Sequence, residues 1–166
     1  MSSLHRYLVL ASLISAAAPS HSLVPNKPKC AVTKSPTPPF VPPKPYSAFH
    51  GEGEFLYGTP ALWTIVYPNW HVHKGGKLPF FRQGFEYRTD RRPQLTVVAR
   101  RLDGAGPLVW SSLPGSGYME GQGLEGMFMN TGIDIPSSGC WEIAAYYISD
   151  PPSSIQTLSY IVWVSN

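Results

Sequence analysis

The chain has 166 residues, 43% of them hydrophobic and 14% charged, which is enough for one domain and too few for two ordinary ones. Eighteen prolines and fifteen glycines break helices throughout, while five Trp, nine Tyr and seven Phe supply bulk for a core. The first fact excludes a helical bundle, and the second a fully disordered chain. The formal charge of +3 has an uneven source: the first 46 residues carry five basic residues and no acidic one, and the remainder carries eight basic against ten acidic, a net −2. A basic stripe on the folded part, the footprint of a nucleic-acid binder, is therefore not expected.

Residues 1–22 hold His5 and Arg6, then an apolar run from Tyr7 to Ile14, then the small residues Ser15, Ala16, Ala17 and Ala18. That order reads as a secretory signal peptide. Its apolar run falls short of the ~20 residues that a spanning helix needs, so no transmembrane span is expected in the mature chain. Residues 23–46 contain eight prolines and four lysines, a composition that favours an extended, solvated backbone acting as linker or strap. Cys30 lies in this segment and Cys140 near the far end. An oxidising compartment and an even count favour a bridge between them, and closing a loop of about 110 residues stabilises by about 4 to 5 kcal/mol in the chain-entropy treatment.

Residues 47–166 read as one domain of short strands. Residues 55–58 and 61–67 come first, the second with Ala61, Trp63, Ile65 and Tyr67 on one face, and Pro68-Asn69 ends it. Residues 78–85 and 94–102 follow, Leu95, Val97 and Ala99 sharing a face in the latter. The glycine-rich stretch 103–126 carries little pattern, with a short strand expected over 108–111 and a loop around Ser116. After a short candidate over 126–130, residues 140–148 and 157–164 alternate strictly, with Trp141, Ile143, Ala145 and Tyr147 on one face and Leu158, Tyr160, Val162 and Val164 on the other's equivalent. The cluster Ser149-Asp150-Pro151-Pro152-Ser153-Ser154 makes these two an antiparallel hairpin. Such spacing predicts an all-β, antiparallel sandwich.

Three stretches carry a resemblance: residues 58–64 (GTPALWT), Arg100-Arg101-Leu102-Asp103-Gly104, and residues 136–143 (PSSGCWEI) with the Tyr160-Ile161-Val162-Trp163-Val164 ending. The chain resembles a group of uncharacterised secreted bacterial proteins with an immunoglobulin-like β-sandwich domain. That resemblance implies export and a compact β domain, and it transfers no catalytic residue. The Cys-Trp-Cys spacing of true immunoglobulin domains is missing, because Cys140 directly precedes Trp141.

Two patterns suggest metal ligation. His71 and His73 share a side if extended, as do Met127 and Met129, and imidazole with thioether suits copper, or imidazole alone zinc. The competing readings are a polar loop for the histidines and core filling for the methionines. Ser116 lacks a nucleophile elbow, and Glu52 and Glu54 do not face each other across a cleft. Glu142, opposite in parity to Trp141 and Ile143, is expected at the solvent face, paired with Arg100 or Arg101. Trp141 and Trp163 are assigned to the core, and Trp70 and Trp110, near turns, to exposed positions that present a binding surface. The expectation is a non-enzymatic protein, secreted, periplasmic or at the cell surface, without a cofactor. It binds a protein or glycan partner in the cell envelope or serves envelope structure; the alternative is a small exported copper or zinc protein.

Overall fold

The computed structural model describes residues 30–47, 51–67, 69–71, 76–119, 126–149 and 154–166. The leader expected over residues 1–22 lies outside them. The described residues form ten strands and no helix: β1 (Phe55–Thr59), β2 (Leu62–Val66), β3 (Asn69–His71), β4 (Gly76–Phe81), β5 (Leu95–Arg101), β6 (Val109–Trp110), β7 (Gly115–Met119), β8 (Gly126–Ile133), β9 (Gly139–Ser149) and β10 (Ser154–Ser165). Two five-stranded sheets result, in the orders β1-β2-β4-β8-β7 and β3-β10-β9-β5-β6. With β2, β4, β8 and β7 as strands A, B, E and D, and β10, β9, β5 and β6 as G, F, C and C′, the two sheets have immunoglobulin-like order. The fold is thus a β-sandwich, antiparallel except where β3 runs parallel to β10.

Period-two alternation builds the interior. In β9 and β10 the residues Trp141, Ile143, Ala145, Tyr147, Leu158, Tyr160, Val162 and Val164 all point between the sheets, where they meet Leu62, Val66, Leu78, Phe80, Met129 and Ile133 from the facing sheet. The same alternation sends Trp163 outward, and its side remains 42% exposed. The core assignment of Trp163 is therefore corrected: its odd-numbered position has the opposite parity to Tyr160, Val162 and Val164. Residue 116 is corrected as well. Gly115–Met119 is a strand paired with β8, not a loop, and its glycines and Ser116 hide the alternation that would have announced it.

β2 differs from the other strands because all five residues are buried. Leu62 and Val66 belong to the inter-sheet core, but Trp63 and Ile65 face the other way, with Leu56 and Phe81, on the outside of their sheet. The proline-rich segment covers them, and it acts as a strap. Cys30 is bonded to Cys140 at the start of β9. Thr33 then continues the sheet along β10, its N–H donating to the Ile161 carbonyl at 2.9 Å and its Oγ1 accepting from the Ile161 N–H at 2.8 Å. Farther on, Phe40 packs on Trp63 with ring centres 5.8 Å apart, and Tyr46 meets Trp63 edge-on at 4.9 Å. The Tyr46 hydroxyl donates to the Arg82 carbonyl at 2.9 Å. Gly126 completes the seat: its φ is +146°, and a Cβ there would lie 2.3 Å from the Tyr46 ring. The segment 30–46 therefore belongs to the folded body rather than holding it at a distance.

Loss of the bridge in Cys30→Ser should lower the unfolding free energy by about 2 to 4 kcal/mol in urea titration while the transition remains cooperative. Trp63→Ala removes the ring that both strap and sheet pack on, and should cost about 3 to 5 kcal/mol. Equal midpoints for wild type and Trp63→Ala would refute the strap as part of the core.

Candidate functional site

A depression of about 850 Å³ lies on the outer face of β6-β5-β9-β10. Register fixes its geometry. Trp110 stands opposite Val98 and Val98 opposite Ala144, with Ser159 next across β10. Small side chains in the centre of this row make the floor, and Trp110 forms one wall at 62% exposure. One step along the strands, Thr96, Tyr146 and Thr157 form a second row, and one step the other way Arg100 faces Glu142. Arg100 donates from Nε at 3.1 Å and from Nη2 at 2.6 Å to the same Glu142 oxygen, Oε2. This exposed pair contributes little to stability, about 0 to 1 kcal/mol, but it fixes a donor and an acceptor side by side.

Trp110 owes its position to its neighbours rather than to its own short strand. Ser111 donates its N–H to the Val97 carbonyl at 2.9 Å, and its hydroxyl accepts from the Val97 N–H at 3.2 Å. Ser112 is held by the other sheet: its N–H donates to the Gly132 carbonyl at 2.8 Å, and its carbonyl accepts from the Thr131 hydroxyl at 2.7 Å. The crossing from C′ to D is thus pinned to both sheets immediately after Trp110, which pre-orders the aromatic wall.

Two of the stretches that carried the resemblance, residues 100–104 and 136–143, meet at one end of β5 and β9 and form a structural clamp, while residues 58–64 lie in the other sheet. Arg101 Nε donates to Asp103 Oδ1 at 2.8 Å, and Arg101 Nη1 to the Ser137 hydroxyl at 3.0 Å. Trp141 Nε1 donates to the Ser137 carbonyl at 3.1 Å, and the Leu102 N–H to the Cys140 carbonyl at 2.8 Å. Gly139 has φ of +141°, and a Cβ there would lie 2.9 Å from the Asp103 carboxylate and 3.0 Å from Arg101 Nη2. The Asp103 side chain is only 3% exposed. Burial pushes its carboxyl up, but the Arg101 guanidinium, the Cys140 backbone and the Arg101 charge outweigh burial and hold it below the usual carboxylate range. The clamp aligns β5 with β9 beside the disulfide.

The residues singled out in the sequence are dispersed. Trp110 is exposed, but Trp70 is buried in the inter-sheet core, so the expected Trp70–Trp110 surface is not formed. Strand A ends at Val66, and the chain enters the other sheet as β3, which turns Trp70 inward. Met129 is fully buried and Met127 packs on the same core, so the thioethers serve as filling. His71 is exposed on the other sheet's edge, its Nδ1 3.0 Å from the Ser165 hydroxyl, and His73 lies outside the described residues. No group of three or more His, Cys, Asp or Glu suited to a metal is assembled among the described residues. Arg100, not Arg101, is the partner of Glu142. Reasoning from sequence missed Tyr146, although the parity that put Trp141 and Tyr147 inside already put Tyr146 and Ile148 outside.

Burial raises the phenols of Tyr46, Tyr67 and Tyr160, most of all the fully enclosed Tyr160. None of the groups with displaced titration lines the depression. Because the folded-state pKa of Asp103 lies below its unfolded value, its contribution is complete above about pH 4 and is lost as the pH falls further, through the folded value. Acid unfolding should therefore be less steep below pH 4 in Asp103→Asn than in the wild type, and superimposable slopes would refute the clamp's charge. Compared with models of protein families, with curated proteins and with solved structures, the chain matches none.

Proposed function

We propose that this chain is an exported, non-enzymatic binding module that holds a component of the cell envelope on the outer face of β6-β5-β9-β10. One observation carries the reading: a broad concave face with a floor of small residues is walled by the exposed rings of Trp110 and Tyr146, and Ser111 and Ser112 fix the first of them from both sheets. A contiguous exposed apolar area, unlike a single exposed side chain, marks a binding surface. The charged residues lining this face are an arginine and a glutamate paired with each other, which supports recognition rather than proton transfer. Export is supported by the order of residues 1–22 and by the Cys30–Cys140 bridge, which suits an oxidising compartment. No helix among the described residues is long and apolar enough to cross a membrane. The resemblance to uncharacterised secreted bacterial proteins points the same way. The metal-binding alternative draws no support from the buried methionines or from His71 at a remote sheet edge.

The test is retention of envelope material, proteins and polysaccharides alike, on immobilised chain. Wild type should retain a component that Trp110→Ala/Tyr146→Ala does not, while both melt at the same temperature within a degree or two. Equal retention by the two proteins, or none by either, would remove this face as the site.

A further inference from the structure

We infer that the occupant of this face is a neutral oligosaccharide lying across β6, β5 and β9, one ring on Trp110 and another toward Tyr146; the inference rests on the binding-face reading above. Three features favour it. The first is size and shape. A depression of about 850 Å³ lies within the range of small-ligand sites. A protein partner instead needs about 800 Å² of well-packed surface with an uncharged centre, and here an ion pair and the hydroxyls of Thr96, Thr157 and Ser159 interrupt the apolar area.

The second feature is charge. Among the described residues, Arg100 and Glu142 are the only charged ones that line the depression, and they neutralise each other. An anionic ligand would meet the Glu142 carboxylate and a cationic one the Arg100 guanidinium, so the pair gives neither sign of charge an advantage. A neutral ligand leaves it intact. The pair engages Arg100 Nε and Nη2 with Glu142 Oε2, so Nη1 as a donor and Oε1 as an acceptor stand outside it. Sugar hydroxyls, which both donate and accept, suit such a mixed set.

The third is the placing of the rings. Trp110 and Tyr146 are two strands and one two-residue step apart, which is about 12 Å at ordinary sheet spacing and matches about two to three pyranose rings end to end. The C–H face of a pyranose is weakly positive and stacks on the negative face of an aromatic ring. Val98 and Ala144 between them leave room for the sugar to approach the sheet.

The experiment is titration of the purified, disulfide-bonded chain with cello-, manno- and chito-oligosaccharides of two to six rings, and with a sulfated oligosaccharide. Calorimetry and Trp fluorescence report binding. At least one neutral series should saturate, and its affinity should rise up to three rings and then level off. Trp110→Ala should weaken it at least tenfold, and Glu142→Gln at least threefold, without change in melting temperature. The proposal is overturned if no neutral series binds at millimolar concentration, if only the sulfated oligosaccharide binds, or if Trp110→Ala binds as well as wild type. Its failure is separable from that of the binding face. Envelope material retained by wild type and lost in Trp110→Ala/Tyr146→Ala, with no response to sugars, rejects the oligosaccharide alone. No retention and no response rejects both.

Discussion

The packing of the strap on Trp63 is the contact on which the remaining architecture depends. A sandwich sheet normally has one dry face and one wet face, and β2 cannot accept that division because Trp63 and Ile65 project from its outer side while Leu62 and Val66 fill the inner one. Phe40 and Tyr46 convert the wet face to a second, smaller core, closed by Phe81 and Phe128. The prolines suit this task, since a strap must lie flat, donate few backbone hydrogen bonds and lose little entropy on docking. The same segment also covers the backbone of β10 at Ile161, where an open edge would invite pairing with another chain.

The division of labour between the two sheets follows. The sheet containing β2 is covered by the strap over β2, and the outer side of β4, β8 and β7 carries a smaller depression, of about 420 Å³. The opposite sheet keeps its outer face open across β6, β5, β9 and part of β10, and its depression is found there. At one end of β5 and β9, the Arg101–Asp103 pair, Ser137 and the bridge of Cys140 hold the two strands in register. The open face and the clamp thus share the same two strands: Arg100 and Glu142 line the depression, while Arg101 and Cys140 belong to the clamp and the bridge.

Legibility in the sequence tracked local periodicity. The long strands β9 and β10 were readable because alternation persists over many residues and a Pro-Pro turn cluster separates them, and the bridge was readable from a cysteine count of two. β7 was not, because glycine and serine supply no apolar period, and its pairing with β8 is a tertiary event. The double burial of β2 was visible only as an unusually bulky run. Nothing local says that a distant proline segment will cover it. For the outer depression, Trp110 was named from its turn position, but Trp70, named with it, is buried. The other exposed ring there, Tyr146, follows from parity within β9 combined with the β9-β5-β6 register, and cross-strand register is what a single sequence does not print.

The strap has a further consequence for the order in which the molecule assembles. Its seat is composed of Ile161 on one sheet and of Trp63, Phe81 and Gly126 on the other, positions drawn from nearly the whole length of the domain. The two halves of that seat come together only once both sheets have formed and packed, and closure of a non-local sandwich is itself slow. The proline segment, early in the chain, is thus late to settle. Until it does, the aromatic strip on β2 stands open to water and to any neighbouring molecule with a surface of the same kind.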